Sequence, residues 1–139
     1  MTNFIAAAVQ LGPASDTMDE MLARILALLD QAAARGAKLA VLPELALTPY
    51  FASSVHDDPT ALEPHLNEAA NAAALAAIAA KGAEHGMAVV ASWAERQPGG
   101  IYNTMSFFDI SGTEVGKFRK VHIPGFVEPD PAKETTILE

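Results

Sequence analysis

The chain opens with two apolar runs separated by one amphipathic segment, and this order restricts the fold more than any other feature of the sequence. Phe4-Ile5-Ala6-Ala7-Ala8-Val9-Gln10-Leu11 is almost continuously apolar and is closed by Gly12-Pro13, the pattern of a strand buried on both faces and hence of a central strand. Thr17 with Glu20 three residues on makes a capping box. Behind it, Met18, Met21, Leu22, Ile25, Leu28, Leu29 and Ala32 recur at i, i+3, i+4 spacing, until Arg35-Gly36 supplies a cation and a C′ glycine. Leu39-Ala40-Val41-Leu42 is a second short strand that ends in Pro43-Glu44. Strand, helix, strand is a βαβ unit with a buried parallel pair.

From Thr48 to Pro64 the composition turns to Pro, Ser, Asp and His around Tyr50-Phe51, which predicts a long loop. Asn67 can cap a second helix that runs through the alanine-rich segment to Glu84-His85 and stops at Gly86. Met87 to Trp93 then reads as a third buried strand. After Pro98-Gly99-Gly100 the pattern changes. Ile101 to Asp109 and Glu114 to Phe118 flank Ser111-Gly112 and predict an antiparallel hairpin on a sheet that began parallel. The fold class is therefore α/β with a mixed sheet. Trp93, Phe107 and Phe108 are expected in its core. Beyond Glu128-Pro129-Asp130-Pro131 no closing element is visible before Glu139.

The 139 residues suffice for one domain. Seventeen acidic against nine basic side chains give a formal charge of −8, so neither nucleic acid nor an anionic membrane surface is an expected partner. Met1-Thr2-Asn3-Phe4 carries no positive charge, and Gly12-Pro13 interrupts the apolar run too early for a signal or a span. The expected location is cytoplasmic. There is no cysteine, which removes disulfides, thiolate metal sites and a thiol nucleophile from within these residues.

Two positions draw attention as chemistry. Glu44 falls at the carboxyl end of the second strand, where open α/β sheets form ligand crevices; alternatively Pro43-Glu44 begins a helical turn and the carboxylate serves its dipole. Lys120 lies in Lys117-Phe118-Arg119-Lys120-Val121-His122, a cationic cluster in an acidic chain. Such a cluster can be a solvated basic edge, or one lysine can turn inward to stabilise an anionic intermediate while the others stay wet. His56, His65, His85 and His122 show no i, i+4 pairing and have no cysteines beside them, so no metal is expected; no GxGxxG, Walker lysine loop or GxSxG elbow occurs, and no cofactor is expected. Ser53, Ser54 and Ser106 lie in no nucleophile motif.

Leu42-Pro43-Glu44-Leu45 and Arg119-Lys120-Val121-His122-Ile123-Pro124-Gly125 resemble the signatures of the nitrilase, or carbon–nitrogen hydrolase, superfamily. Other pieces fit in order: Ala8-Val9-Gln10-Leu11-Gly12-Pro13, Ala34-Arg35-Gly36-Ala37-Lys38-Leu39, Tyr102-Asn103-Thr104 and Gly112-Thr113-Glu114-Val115-Gly116-Lys117. The stretch from Arg119 through Gly125, then Glu128-Pro129-Asp130-Pro131 and Ile137-Leu138-Glu139, is most similar to the N-carbamoyl-D-amino acid amidohydrolase branch.

The resemblance implies an αββα sandwich, assembled from two or more subunits, that uses a glutamate, a lysine and a cysteine. It places the glutamate at Glu44, the lysine at Lys120 and a second, substrate-positioning glutamate at Glu139. It also implies that the residues present are the amino-terminal half of such a domain, with the nucleophilic cysteine some tens of residues beyond Lys120 on a strand these residues do not reach. The implied reaction is hydrolysis of a non-peptide C–N bond in a small N-carbamoyl amino acid or amide, and the segment alone is expected to be inactive. An aliphatic amidase, a β-ureidopropionase or a nitrilase would share Glu44 and Lys120. A noncatalytic α/β binding module is the rival from another class.

Overall fold

The computed structural model describes residues 3–13, 17–51 and 59–121. The elements follow the order β1 (Ile5–Ala8), α1 (Met18–Ala34), β2 (Ala37–Val41), a 3₁₀ helix (Pro59–His65), α2 (Glu68–Glu84), β3 (Ala88–Gln97), β4 (Gly100–Phe108) and β5 (Glu114–Arg119). Both helices begin at the expected caps: the Thr17 hydroxyl accepts from the Glu20 N–H at 3.2 Å, and the Asn67 carbonyl oxygen from the Ala70 N–H at 3.1 Å. Gly36 and Gly86 follow the helices with φ of +81° and +56°.

The strands form one five-stranded sheet in the order β1-β2-β3-β4-β5. β1–β2 and β2–β3 are parallel and are crossed over by α1 and α2, whereas β3–β4 and β4–β5 are antiparallel. β3 outruns its predicted end at Trp93, because Pro98-Gly99 turns the chain back and Gln97 pairs with Gly100. The expected loop at 48–64 contains the 3₁₀ helix; its residues 52–58 lie outside the described residues.

Ile25 and Leu29 of α1, Ile78 of α2 and Ala40, Val89 and Ala91 of the strands are fully buried in one apolar cluster. Alternation along a strand places the neighbours of these strand residues on the other face. Gly82 permits the close approach of α2 to β3: a Cβ there would stand 2.8 Å from both the Met87 carbonyl oxygen and Val89 Cγ2.

Three expectations about burial are corrected. β1 is not central; it forms one margin of the five strands, and Ile5 is 55% exposed. An apolar run reports that a strand is to be covered, but it carries no information on strand order. β2 is not buried on both faces, since Val41 is exposed. Phe107 is exposed as well, and Trp93 is only partly buried, while Phe108 is in the core. The exposure of Val41 and Phe107 has a geometric cause. Val41, Val90 and Phe107 are in register, and Met105 pairs with Phe118 on the same face; α1 and α2 pack on the other side, and on this one Leu62 of the 3₁₀ helix and Leu66 cover only the Ala94 end. Among the described residues no helix is long and apolar enough to cross a membrane.

Candidate active site

The chain leaves β2 still tethered to β3. The Leu42 N–H donates to the Val90 carbonyl at 2.9 Å and the Ala46 N–H to the Ser92 carbonyl at 3.0 Å. Between them, Leu45 takes φ of +51°, a left-handed conformation that is unfavourable for a bulky side chain. Two contacts hold it there: its N–H donates to the Ser92 hydroxyl at 3.0 Å, and its side chain is buried against Phe51, Leu62, Leu66 and Ala94. Residues 44–47 form a turn, and residues 48–50 do not continue it into a helix, so the helix-dipole account of Glu44 does not apply. The strained turn instead directs Glu44 to the face of the sheet opposite α1 and α2.

Lys120 arrives on that face from the opposite direction. Its N–H donates to the Asn103 carbonyl at 2.9 Å, extending the β4–β5 ladder one residue beyond Thr104–Arg119. Its Nζ lies 2.7 Å from Glu44 Oε1, and the Asn103 side-chain amide donates to the same oxygen. The Ser92 hydroxyl donates to Asn103 Oδ1 at 3.4 Å. Side-chain exposures of 39% for Glu44 and 32% for Lys120 leave both groups reachable. They line a cleft of about 250 Å³ with Ser92, Asn103, Met105 and Phe118. A carboxylate and an ammonium so placed can take a proton from one group and stabilise developing negative charge on another.

A second carboxylate occupies the opposite face of the same strands. Glu95, with 2% side-chain exposure, accepts from Thr104 Oγ1 at 2.8 Å, Arg119 Nε at 2.8 Å and Lys117 Nζ at 3.1 Å. Burial alone would raise this carboxyl; the hydrogen bonds from Arg119, Thr104 and Lys117 outweigh it and bring the pKa down to about 2. The Lys117 ammonium also stands 5.3 Å over the Trp93 ring and the Arg119 guanidinium 4.3 Å over Tyr102. The expectation that the other cations merely stay wet is therefore corrected: Lys117 and Arg119 are half-exposed but committed to Glu95. A larger groove of about 690 Å³ runs along this helix side and includes none of Glu44, Asn103 or Lys120.

Of the three residues singled out, the fold brings Glu44 and Lys120 into contact, whereas Glu139 lies outside the described residues, as do His56, His122, Ser53 and Ser54. Ser106 faces the helices, where it accepts from the Trp93 indole at 3.0 Å. His65 stacks on Phe51, and His85 meets Asp30 at 2.6 Å. Ser92, Asn103 and Glu95 were missed as parts of an organised site. Polar side chains inside otherwise apolar strands, Ser92 and Glu95 in β3 and Asn103 and Thr104 in β4, were available as a signal, but which face each one takes depends on strand register.

Comparison with known proteins agrees with this architecture. The family described as carbon–nitrogen hydrolase matches residues 5–138. A nitrilase of Paraburkholderia phymatum is 35% identical over 123 residues, covering 84% of this chain and 36% of its own length. A citrullinase of Francisella tularensis is 32% identical over 124 residues, covering 89% and 42%. A carbon–nitrogen hydrolase of Helicobacter pylori superposes with a TM-score of 0.74 at 25% identity, over 87% of this chain and 40% of that one. The chain thus spans about two fifths of the length of each of these proteins. With the match running almost from end to end and the mixed sheet shared with a solved member, the chain belongs to the carbon–nitrogen hydrolase family, the nitrilase superfamily.

Proposed function

We propose that residues 1–139 are the glutamate- and lysine-bearing part of an amidohydrolase that cleaves the carbamoyl C–N bond of N-carbamoyl amino acids. The observation that carries this reading is the 2.7 Å contact between Lys120 Nζ and Glu44 Oε1 in an open cleft. The similarity to a citrullinase supports the substrate class, because citrulline carries a carbamoyl group on nitrogen.

In this reading a cysteine supplied outside these residues is the nucleophile. A free thiol has a pKa of about 8.5 and needs a base at neutral pH. Glu44 takes its proton, the thiolate attacks the carbonyl carbon, and Lys120 holds the resulting oxyanion. Collapse breaks the C–N bond as Glu44 returns the proton to the leaving nitrogen. Water, deprotonated by Glu44, then attacks the thioester, the C–S bond breaks and the thiolate takes the proton back; the carbamic acid released loses carbon dioxide by breaking its remaining C–N bond, giving amino acid, carbon dioxide and ammonia overall. Glu139 is assigned to orienting the substrate and Lys120. The parent domain is read as the αββα sandwich, assembled from more than one subunit, whose second sheet covers Val41, Phe107 and Phe118.

The test begins with the reading frame beyond Glu139, where a strand bearing a cysteine is expected. The protein it encodes should release ammonia from N-carbamoyl amino acids faster than from simple amides or nitriles. Preference for a simple amide or a nitrile would move the assignment to an amidase or a nitrilase. A frame without a cysteine would favour the noncatalytic module.

A further inference from the structure

Glu44 carries two oxygens, and the structure treats them differently. Lys120 Nζ and the Asn103 side-chain amide both address Oε1, and among the described residues no donor addresses Oε2. Asn103 is itself held from behind. The Leu45 N–H donates to the Ser92 hydroxyl, and that hydroxyl donates to Asn103 Oδ1. Because Leu45 follows Glu44 in sequence, these bonds close a ring: Glu44 to Leu45 through the chain, then to Ser92, to Asn103, and back to Glu44. The ring also sets the orientation of the Asn103 amide, since the Ser92 proton must meet oxygen and the Glu44 oxygen must meet nitrogen. The backbone carbonyl of Asn103 receives the Lys120 N–H at 2.9 Å. One residue therefore holds the carboxylate with its side chain and the lysine with its main chain.

We propose that Asn103 is a positioning residue that clamps Glu44 and Lys120 together, so that Oε1 is occupied by its two donors and Oε2 is the oxygen that accepts the proton. This rests on the catalytic reading of Glu44 and Lys120 given above. The residue type follows from the chemistry: aspartate would set a second negative charge against Glu44, glutamine would overreach by one methylene, and alanine would leave the carboxylate free to rotate. Pre-set orientation of a base is what lets it meet its proton without prior reorganisation.

The test reads geometry in the 139-residue chain. Asparagine occurs at four positions, Asn3, Asn67, Asn71 and Asn103, so selective ¹⁵N-asparagine labelling gives four side-chain amide signals, and loss in Asn103→Ala identifies one. We expect one Asn103 amide proton to be shifted downfield and protected from exchange. Glu44→Gln should shift that signal and leave those of Asn67 and Asn71 in place. Ser92→Ala should shift it too, by releasing Oδ1. With ¹⁵N-lysine labelling, the protected Lys120 ammonium signal should be lost in Asn103→Asp, while the thermal midpoint stays close to that of the parent. An Asn103 signal unmoved by Glu44→Gln, or a Lys120 signal unmoved by Asn103→Asp, overturns the clamp. Full turnover in Glu44→Gln of the cysteine-bearing protein would instead overturn the catalytic reading, so the two failures are distinguishable.

Discussion

Arg119 and Lys120 are consecutive residues that serve carboxylates on opposite faces of one sheet: Arg119 Nε reaches Glu95 at 2.8 Å on the helix side, and Lys120 Nζ reaches Glu44 at 2.7 Å on the other. Thr104 and Asn103 divide in the same way, Thr104 to Glu95 and Asn103 to Glu44. The alternation of a β-strand does this without any special turn. Glu95 thus secures β4 and β5 from behind the cleft in which Glu44 and Lys120 meet.

The first prediction concerns turnover. In the protein that supplies the cysteine, Glu44→Gln and Lys120→Ala should each lower the rate by about 10²–10³ at saturating substrate. The double variant should be little worse than the poorer single one, because the two groups act as a unit. Steady-state ammonia release measures this, and near-normal turnover in either single variant would remove that residue from the mechanism.

Residues 1–139 alone should hydrolyse no carbamoyl substrate. A base and an oxyanion donor without a nucleophile leave only direct attack by water, and the division of one barrier into two is lost. Ammonia release that is abolished by Glu44→Gln in this segment would contradict the prediction.

Glu95 should matter most at neutral pH. Its folded pKa of about 2 lies below the ordinary value of 4.5. The stabilisation from its ionised form is therefore complete above the ordinary value and is lost as pH falls through the folded one. Glu95→Gln should cost about 1–3 kcal/mol at pH 7, held to that range by the solvent exposure of Lys117 and Arg119. Urea unfolding of both proteins should show the difference persisting at pH 5 and shrinking toward pH 2. A difference independent of pH would show that the charge is not what Glu95 contributes.

The open sheet face should drive self-association of the isolated segment, because Val41, Phe107 and Phe118 are all exposed on it. Phe107→Lys with Phe118→Lys should shift the light-scattering mass toward the monomer and leave the thermal midpoint nearly unchanged. A wild-type segment that is already monodisperse and monomeric would refute this.

Gly82→Ala tests the contact between α2 and β3. Alanine improves helix propensity by about 1 kcal/mol, but its Cβ would stand 2.8 Å from the Met87 carbonyl oxygen and Val89 Cγ2. Overpacking of this kind costs about 1–3 kcal/mol, so a net loss of stability is expected by chemical denaturation, and a gain would show that the helix shifts freely.

What the sequence determined is local. Thr17 and Asn67 cap the helices they were expected to cap, and Ser111-Gly112 lies in the turn between β4 and β5, because a capping hydroxyl, a C′ glycine and a turn dipeptide act within a few residues of themselves. Glu44 and Lys120 stood out because each lies beside a strand end within a distinctive short motif. Strand order was not available in this way: the apolar run at Phe4 predicted a central strand, and β1 lies at the margin. Nor was the company that Glu44 keeps. Asn103 lies 59 residues from it and Lys120 76, and they meet only because the registers of β2 with β3, β3 with β4 and β4 with β5 combine. A shift of one residue in any of these pairings would carry Asn103 or Lys120 to the helix side and Thr104 or Arg119 into the cleft. Local chemistry chose the elements, and hydrogen-bond register across the sheet decided which side chains share a face.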